Sequence, residues 1–391
     1  MPSMAINDVL TRRVEKILPS KEGLEKLLSG KKIRLYQGFD PTGGRLHLGH
    51  TIGLRKLMEF AREGHEVIFL FGTGTVLVGD PSQRETGRKL ITQAEIEQNI
   101  QGWKTQVAPI VDFSLPNVTI KQNGDWLIPL TLKEIVGIAS HISAVQLFKR
   151  ESFTRRLEKG DTVWYHETMY PLLQGYDSVV MDVDLEIGGT DQEFNMLVGR
   201  ELQRKMNNRE KFVLTVPMIL GTDGRQMSKS TGNCIWLDDS ANDMYGKVMS
   251  IPDSQIFPYW QLLTDLPLTD EKELLATPMQ SKKTLAFDIT RQFHGEAGAK
   301  QAQTNFENTV QNKQLPSDLP EVKMPAGKHT ILNIVKFMEN DESSSSIKNI
   351  IVGGGVELNG QKYTNPSSEV EIKGGEVLKF GKRTYQKIII N

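Results

Sequence analysis

The chain has a single cysteine, Cys234, among 391 residues. One cysteine can neither close an internal disulfide nor supply a thiolate zinc cluster, so a disulfide-built fold is excluded and a reducing cytoplasm fits. Long apolar runs are missing as well. No uninterrupted stretch approaches the roughly 18–20 residues of a membrane span, which argues against a membrane enzyme. The opening residues, Met1-Pro2-Ser3-Met4-Ala5-Ile6-Asn7-Asp8, lack the basic then apolar layout of a secretory signal. Net charge is nearly absent: 47 Lys and Arg against 48 Asp and Glu give −1. An acidic partner such as nucleic acid would therefore be held by local patches and not by a global field.

What remains is ample material for cores. With 38% apolar and 24% charged residues, a chain of this length reads as two or three domains. Residues 8–28 carry a charged helical pattern. Residues 33–36 read as a short strand, and Gly38-Phe39-Asp40-Pro41-Thr42-Gly43-Gly44 as a turn-rich loop. Leu54, Leu57, Met58 and Ala61 recur at helical spacing, Gly64 stops that helix, and residues 67–71 form a compact apolar strand. Strand, loop, helix and strand make a βαβ unit, whose loop sits where open parallel sheets bind ligands. The pattern returns with a strand at 183–187, the loop Gly188-Gly189-Thr190-Asp191, a helix at 193–205 and a strand at 212–220 broken by Pro217.

The expected fold class is therefore α/β, with a Rossmann-like parallel-sheet catalytic domain over 1–236. An inserted segment at about 90–156 is a candidate dimer contact. A small helical domain follows at 237–312, then a Pro-punctuated linker at 313–328 and a compact α+β module at 329–391. That last module holds eight Lys and Arg against seven Asp and Glu, yet Lys379, Lys382, Arg383 and Lys387 cluster at its end. The cluster reads equally as a phosphate-facing strip or as a solvated edge strand.

Two motifs carry chemistry. In His47-Leu48-Gly49-His50 two imidazoles three residues apart sit at a helix start, where free amides favour anions and Gly49 allows close backbone approach. Imidazole donors there can stabilise charge developing on a phosphate. An ordinary pair of surface histidines is the alternative, weakened by the upstream Asp40-Pro41-Thr42 and the βαβ setting. The second motif, Gln226-Met227-Ser228-Lys229-Ser230-Thr231, places an ammonium and hydroxyls on a loop after the last strand. Such a loop can follow a departing pyrophosphate; alone it would read as an exposed polar turn.

Both motifs resemble the signatures of the class I aminoacyl-tRNA synthetases, His-Ile-Gly-His and Lys-Met-Ser-Lys-Ser. The second departs at Gln226, where the family has its first lysine; Arg225, Arg84 and Arg88 are candidate substitutes for that cation. A third set, Tyr170, Gln174 and Asp177, falls at i, i+4 and i+7 and so shares one helix face. A carboxylate there can accept a phenolic hydrogen bond, with Tyr36 as second partner, and Gln174 and Tyr170 can hold an α-amino group. A partly exposed helix face is the alternative.

Taken with Gly79-Asp80-Pro81-Ser82, Asn123-Gly124-Asp125-Trp126 and Gly188-Gly189-Thr190-Asp191-Gln192, the chain resembles the tyrosyl-tRNA synthetase family over most of its length. The resemblance implies that Tyr36 and Asp177 meet the substrate hydroxyl. It implies that Tyr170, Gln174 and Asp80 meet the ammonium and Gln192 the carboxylate. Gly38, Asp40, Gly49 and Asp191 would lie near the nucleotide. Thr42, His47 and His50 would face the ATP phosphates, with Met227, Ser228, Lys229 and Ser230 on the loop.

The implied activity is ATP-dependent charging of tRNA(Tyr) with L-tyrosine by a homodimer. Mg²⁺ would travel with the phosphates, and no dedicated metal site is expected on the protein. The tail resembles the alpha-L RNA-binding domain in its 347–360 and 377–383 stretches. A tryptophan enzyme is disfavoured, since indole offers no hydroxyl to Tyr36 and Asp177. A small-molecule adenylyltransferase and an RNA-binding regulator with a degenerate site are the rival readings.

Overall fold

A strand that buries both faces needs cover on both, which only an interior strand of a parallel sheet receives. Strand β3, Glu66–Phe71, buries every residue after its first. It sits in a six-stranded sheet with β1 (Lys16–Leu18), β2 (Arg34–Phe39), β4 (Val118–Gln122), β5 (Leu185–Gly189) and β6 (Phe212–Val216), in the order β1-β6-β5-β2-β3-β4. Strands β2 to β6 run parallel, and β1 closes the edge antiparallel to β6. The chain builds outward from β2 through β3 to β4, then returns to lay β5 against the other side of β2. The order reverses there, and the crevice beyond the carboxyl ends of β2 and β5 is the ligand position of such sheets.

The computed structural model describes residues 9–81, 91–227, 231–311, 319–338, 344–381 and 384–390. Two units emerge, residues 1–303 and 304–391. In the first, the helices Tyr165–Met181 and Glu193–Asn207 flank the β5 end of the crevice. Each stops at a residue in the left-handed conformation, Asp182 (φ 48°) and Asn208 (φ 52°), the side chains that tolerate it best after glycine. The helix Thr51–Arg62, between β2 and β3, is buried on all sides over 51–61 and not only on its apolar face. Its polar side is satisfied internally: Glu59 takes hydrogen bonds from Lys56 and Arg13 at 2.5 Å each.

Several expectations change. Residues 8–28 are not one helix: β1 precedes a helix at Lys21–Gly30, capped by Ser20, whose hydroxyl accepts from the Gly23 amide at 3.1 Å. The segment at 90–156 is not wholly an insertion, because β4 pairs with β3 in the main sheet and Trp103 of the helix Gln93–Val107 lies against Phe71 of β3, ring centroids 6.4 Å apart. As an edge strand with only its first residue fully buried, β4 carries little apolar signal. The segment 237–312, expected as a small helical domain, holds the helices Ala241–Met249, Ile256–Leu263, Glu271–Ala276 and Pro278–Phe306, the last broken at Gly295. Up to residue 303 they nevertheless group with the sheet. Arg12 ties the two parts by donating to the carbonyls of Trp260, Gln261, Thr264 and Leu266, and Arg13 to that of Leu262.

The second unit begins before residue 329. Of the expected linker, 313–318 lie outside the described residues, while β7 (Glu321–Met324) and β8 (Gly327–Thr330) are strands. Strand β7 pairs parallel with β13 (Thr384–Ile390), and β8 pairs antiparallel with β11 (Glu369–Ile372). With β9 (Val356–Leu358), β10 (Gln361–Tyr363) and β12 (Val377–Phe380), the larger sheet has the order β10-β9-β12-β13-β7. Two helices, Ile331–Met338 and Ser344–Val352, share its core through Ile331, Ile334, Val335, Ile347 and Ile351. Proline punctuation masked the short strands that a sheet partner stabilises.

Candidate active site

The residues that the sequence suggests for the tyrosine end gather near the switch point between β2 and β5. Tyr36, fully buried on β2, is the register partner of Glu186 on β5. Its hydroxyl lies 2.8 Å from Ser178 Oγ, one residue along the helix from the expected Asp177. Burial, with Glu186 and Asp177 nearby, raises the Tyr36 hydroxyl well above the ordinary tyrosine value, so it keeps its proton.

Asp177 is buried too, and both its oxygens are engaged: Trp126 Nε1 donates to Oδ1 at 2.8 Å and Asn123 Nδ2 to Oδ2 at 3.0 Å. Burial outweighs these donors and holds the carboxyl well above the usual carboxylate range. A further donor, such as a phenol, would offset that burial.

From Asp177 the bonding continues to the next group. Asn123 Nδ2 also donates to Thr75 Oγ1 at 3.0 Å, and Thr75 donates to Asp40 Oδ1 at 2.7 Å. Asp40 Oδ2 accepts from the Tyr170 hydroxyl at 3.0 Å. Asp40, expected beside the nucleotide, is thereby joined to Tyr170, expected beside the ammonium. Only glycine fits at position 72, since a Cβ there would stand 1.9 Å from Asp40 Oδ1.

On the other side Gln174 donates to Glu186 Oε1 at 3.1 Å and accepts from Asn195 at 2.9 Å. Asn195 also donates to Gln192 at 2.9 Å. Gln192 donates to Asp80 Oδ2 at 2.7 Å and to Asp191 at 3.1 Å, and Arg150 holds Asp80 Oδ1 at 3.1 Å. Two sets of hydrogen bonds thus hold these side chains: one joins Asp177 to Tyr170 through Asn123, Thr75 and Asp40, and the other joins Tyr36, Gln174, Gln192 and Asp80 through Ser178, Glu186 and Asn195.

The phosphate end is built differently. His47 to His50 make a short 3-10 turn at Leu48–His50 leading into the helix Thr51–Arg62. The two rings lie tilted at 48° with centroids 3.9 Å apart, and His50 Nδ1 accepts from the His47 amide at 3.1 Å. The edge of Trp236 backs His47, with ring centroids 6.0 Å apart, and Arg45 covers Trp236 at 4.7 Å. A Cβ at Gly49 would press on the His47 ring at 3.1 Å, and one at Gly38 would meet open space. The Thr42 amide donates to the Asp40 carbonyl at 2.7 Å.

Met227 is buried, so its thioether packs inside the protein. Ser228, Lys229 and Ser230 lie outside the described residues, as do Arg84 and Arg88. Of the candidate substitutes for a lysine at 226, only Arg225 is described: it is exposed and bonded to Asp223 at 2.8 Å. In the second unit Lys379 is salt-bridged to Glu357 at 3.1 Å and lies over the Tyr385 ring, while Lys387 is exposed. Lys382 and Arg383 are outside the described residues. Among the described residues no three His, Cys, Asp or Glu side chains gather as a metal site, and no helix is long and apolar enough to cross a membrane.

A parallel sheet with its candidate site at the switch point and a histidine pair at the start of the helix Thr51–Arg62, together with the serine-lysine motif in the sequence after β6, define a class of protein. Residues 28–311 match the family described as tRNA synthetases class I (W and Y), and the chain belongs to that family.

The relatives narrow this further. A tyrosine–tRNA ligase of Desulfotalea psychrophila is 39% identical, covering 92% of this chain and 91% of its own. One from Aquifex aeolicus is 36% identical with 95% of each covered, and one from Thermotoga maritima is 38% identical over 97% of this chain and 96% of its own. Within the class, the chain belongs with the tyrosine–tRNA ligases.

Two solved structures share the fold. A C-terminally truncated mitochondrial tyrosyl-tRNA synthetase of Coccidioides posadasii superposes with a TM-score of 0.62 at 23% identity, covering 76% of this chain and 90% of its own. The Archaeoglobus fulgidus tyrosyl-tRNA synthetase with L-tyrosine gives 0.58 at 20%, covering 75% and 98%.

Proposed function

We propose that the site activates L-tyrosine with ATP and then charges tRNA(Tyr). The tyrosine carboxylate attacks the α-phosphate, giving tyrosyl-adenylate and pyrophosphate. A hydroxyl of the terminal tRNA ribose then takes the tyrosyl group and releases AMP. No side chain needs to become covalently attached; the work is positioning and charge stabilisation.

The observation that carries this reading is the buried Asp177 carboxyl, fixed by Asn123 and Trp126 close to the buried Tyr36 hydroxyl. In this reading the substrate phenol donates to Asp177 and accepts from Tyr36. Asp80, Tyr170 and Gln174 receive the ammonium, and Gln192 lies by the carboxylate. Asp40, Gly38 and Asp191 lie near the adenylate sugar. Thr42, His47 and His50 face the phosphates, with Gly49 giving backbone access and Lys229 on the loop between Ser228 and Ser230. Asp40 and Asp80 are each tied to tyrosine-end partners, which favours one continuous site over two separate ones. Mg²⁺ would come with the ATP phosphates, which with water supply the oxygens such a hard cation prefers.

Three further elements belong to the same proposal. The apolar side chains Ile128, Leu132, Val136, Val145, Trp164 and Tyr165 are each more than half exposed, which suits a homodimer contact. The helices of residues 237–312 suit the anticodon region of the tRNA. The module at 329–391, with β7 and β8 before it, suits tRNA binding through Lys379, Lys382, Arg383 and Lys387, with Lys387 the better placed because Glu357 neutralises Lys379. Tyrosine-dependent pyrophosphate exchange and charging of tRNA(Tyr) test the proposal; charging with tryptophan in place of tyrosine contradicts it.

A further inference from the structure

Two charges are buried where the reaction makes no direct use of them. Lys211, at the entry to β6, and Glu186, on β5, are fully enclosed and ion-paired. Burying such a pair costs several kcal/mol per ion, so that apolar residues of similar volume are often as stable or more so. Stability alone is a weak reason for it. Space for the ammonium is made by Gly199, where a Cβ would stand 2.7 Å from Lys211 Nζ and 3.0 Å from Ser178 Oγ.

The pair is linked to the tyrosine pocket at both ends. Lys211 Nζ donates to Ser178 Oγ at 2.8 Å, and Ser178 Oγ stands 2.8 Å from the Tyr36 hydroxyl. Glu186 Oε1 accepts from Gln174 at 3.1 Å.

Counting protons gives the chain of bonds a direction. An ammonium only donates, and a serine hydroxyl has one proton to give. With Lys211 donating into Ser178 Oγ, the serine proton goes to the Tyr36 oxygen at 2.8 Å or to Glu186 Oε2 at 3.4 Å. The shorter contact is favoured, and the serine contact to Glu186 Oε2, an oxygen that also accepts from Lys211, is the longer one. The bonds then run from Lys211 to Ser178 to Tyr36, so the Tyr36 proton is not spent on Ser178: it is shared between Glu186, which also bonds the hydroxyl, and a ligand oxygen.

We propose that Lys211 and Ser178 are positioning residues that hold the Tyr36 hydroxyl as a hydrogen-bond donor towards the phenolic oxygen of the amino acid, with Glu186 anchoring Lys211. This rests on the reading of Tyr36 as a tyrosine contact. It completes the recognition in chemical terms: Tyr36 offers a donor, Asp177 offers an acceptor, and a hydroxyl is the group that satisfies both.

A double-mutant cycle in pyrophosphate exchange tests it. Ser178→Ala leaves the Lys211–Glu186 pair in place and removes only the relay. The expected result is a loss of about tenfold in kcat/KM for tyrosine, carried by KM, with the value for phenylalanine within about twofold of the parent. In a Tyr36→Phe background the same substitution should add less than about twofold, because the hydroxyl it orients is gone. Equal losses for tyrosine and phenylalanine, or an undiminished loss in the Tyr36→Phe background, would overturn the proposal and make Ser178 a packing residue. A parent protein with no tyrosine-dependent exchange would instead remove the functional reading beneath it, a failure visible before any variant is made.

Discussion

The two units bury different things. In 304–391 every buried side chain among the described residues is apolar, and the charges stand outside or, like Lys379, pair at the surface. In 1–303 the interior holds Asp177, Glu186, Lys211, Asn123 and Asn195. A buried polar group costs free energy unless its partners are in place, so a set this large persists only when each member is bonded to the next. The contrast matches the proposed division of work: selection of a small ligand by a prebuilt polar interior, and contact with a large, anionic partner on a surface.

The contrast can be broken from either side. The largest effect is expected at the phosphate end. His50→Asn retains an acceptor for the His47 amide but loses the second ring nitrogen, and kcat for adenylate formation should fall about 10²–10³-fold with tyrosine KM little changed. Single-turnover kinetics separates the two. Next comes the interior: Asp177→Asn places an amide against donors from Asn123 or Trp126 and removes the acceptor for a phenol. Tyrosine KM should rise by between about tenfold and 100-fold, read by exchange at varied tyrosine.

The third prediction concerns acid. His65 is buried, its Nδ1 accepts from the Ile33 amide at 3.1 Å, and burial pulls its pKa down from 6.5 to about 4. Between those values the unfolded chain binds a proton that the folded chain does not. The His65 contribution to stability is therefore complete above pH 6.5 and is lost progressively towards pH 4. Hydrogen exchange, corrected for intrinsic rates, should show β3 losing protection from pH 7 to pH 5 while β13, in a unit with no buried titratable group among its described residues, keeps it. Equal losses in both units would erase the contrast.

The smallest effect is expected on the surface. Lys387→Ala should weaken tRNA binding a few-fold and lower the salt slope by about one, with pyrophosphate exchange untouched. Lys379→Ala should do less, since Glu357 already neutralises it.

Much of this was legible in the sequence because its signals are local. The β2 loop, the histidine turn and the Tyr170-Gln174-Asp177 face each depend on spacing along one element. Ser178, Glu186, Lys211, Asn195 and Arg150 were not singled out, because their meaning comes from partners on other elements of the fold. A partial signal was present: Glu186 interrupts the apolar strand at Leu185 and Ile187, a charge where the pattern calls for none. Asn123 and Trp126 stood inside a recognised motif, but only packing against Asp177 gives them a role. Strands β4, β7 and β8 escaped notice because a short or edge strand owes its form to its neighbour.

The account stands on selection by a donor and an acceptor held in a buried pocket, and one comparison tests that directly: kcat/KM for tyrosine against phenylalanine in pyrophosphate exchange. The expected ratio is about 10⁴–10⁵, a range that tyrosine enzymes themselves exemplify and that is not worked out from these distances. A ratio near one would contradict the account, because an interior bonded around Tyr36 and Asp177 would then be selecting nothing.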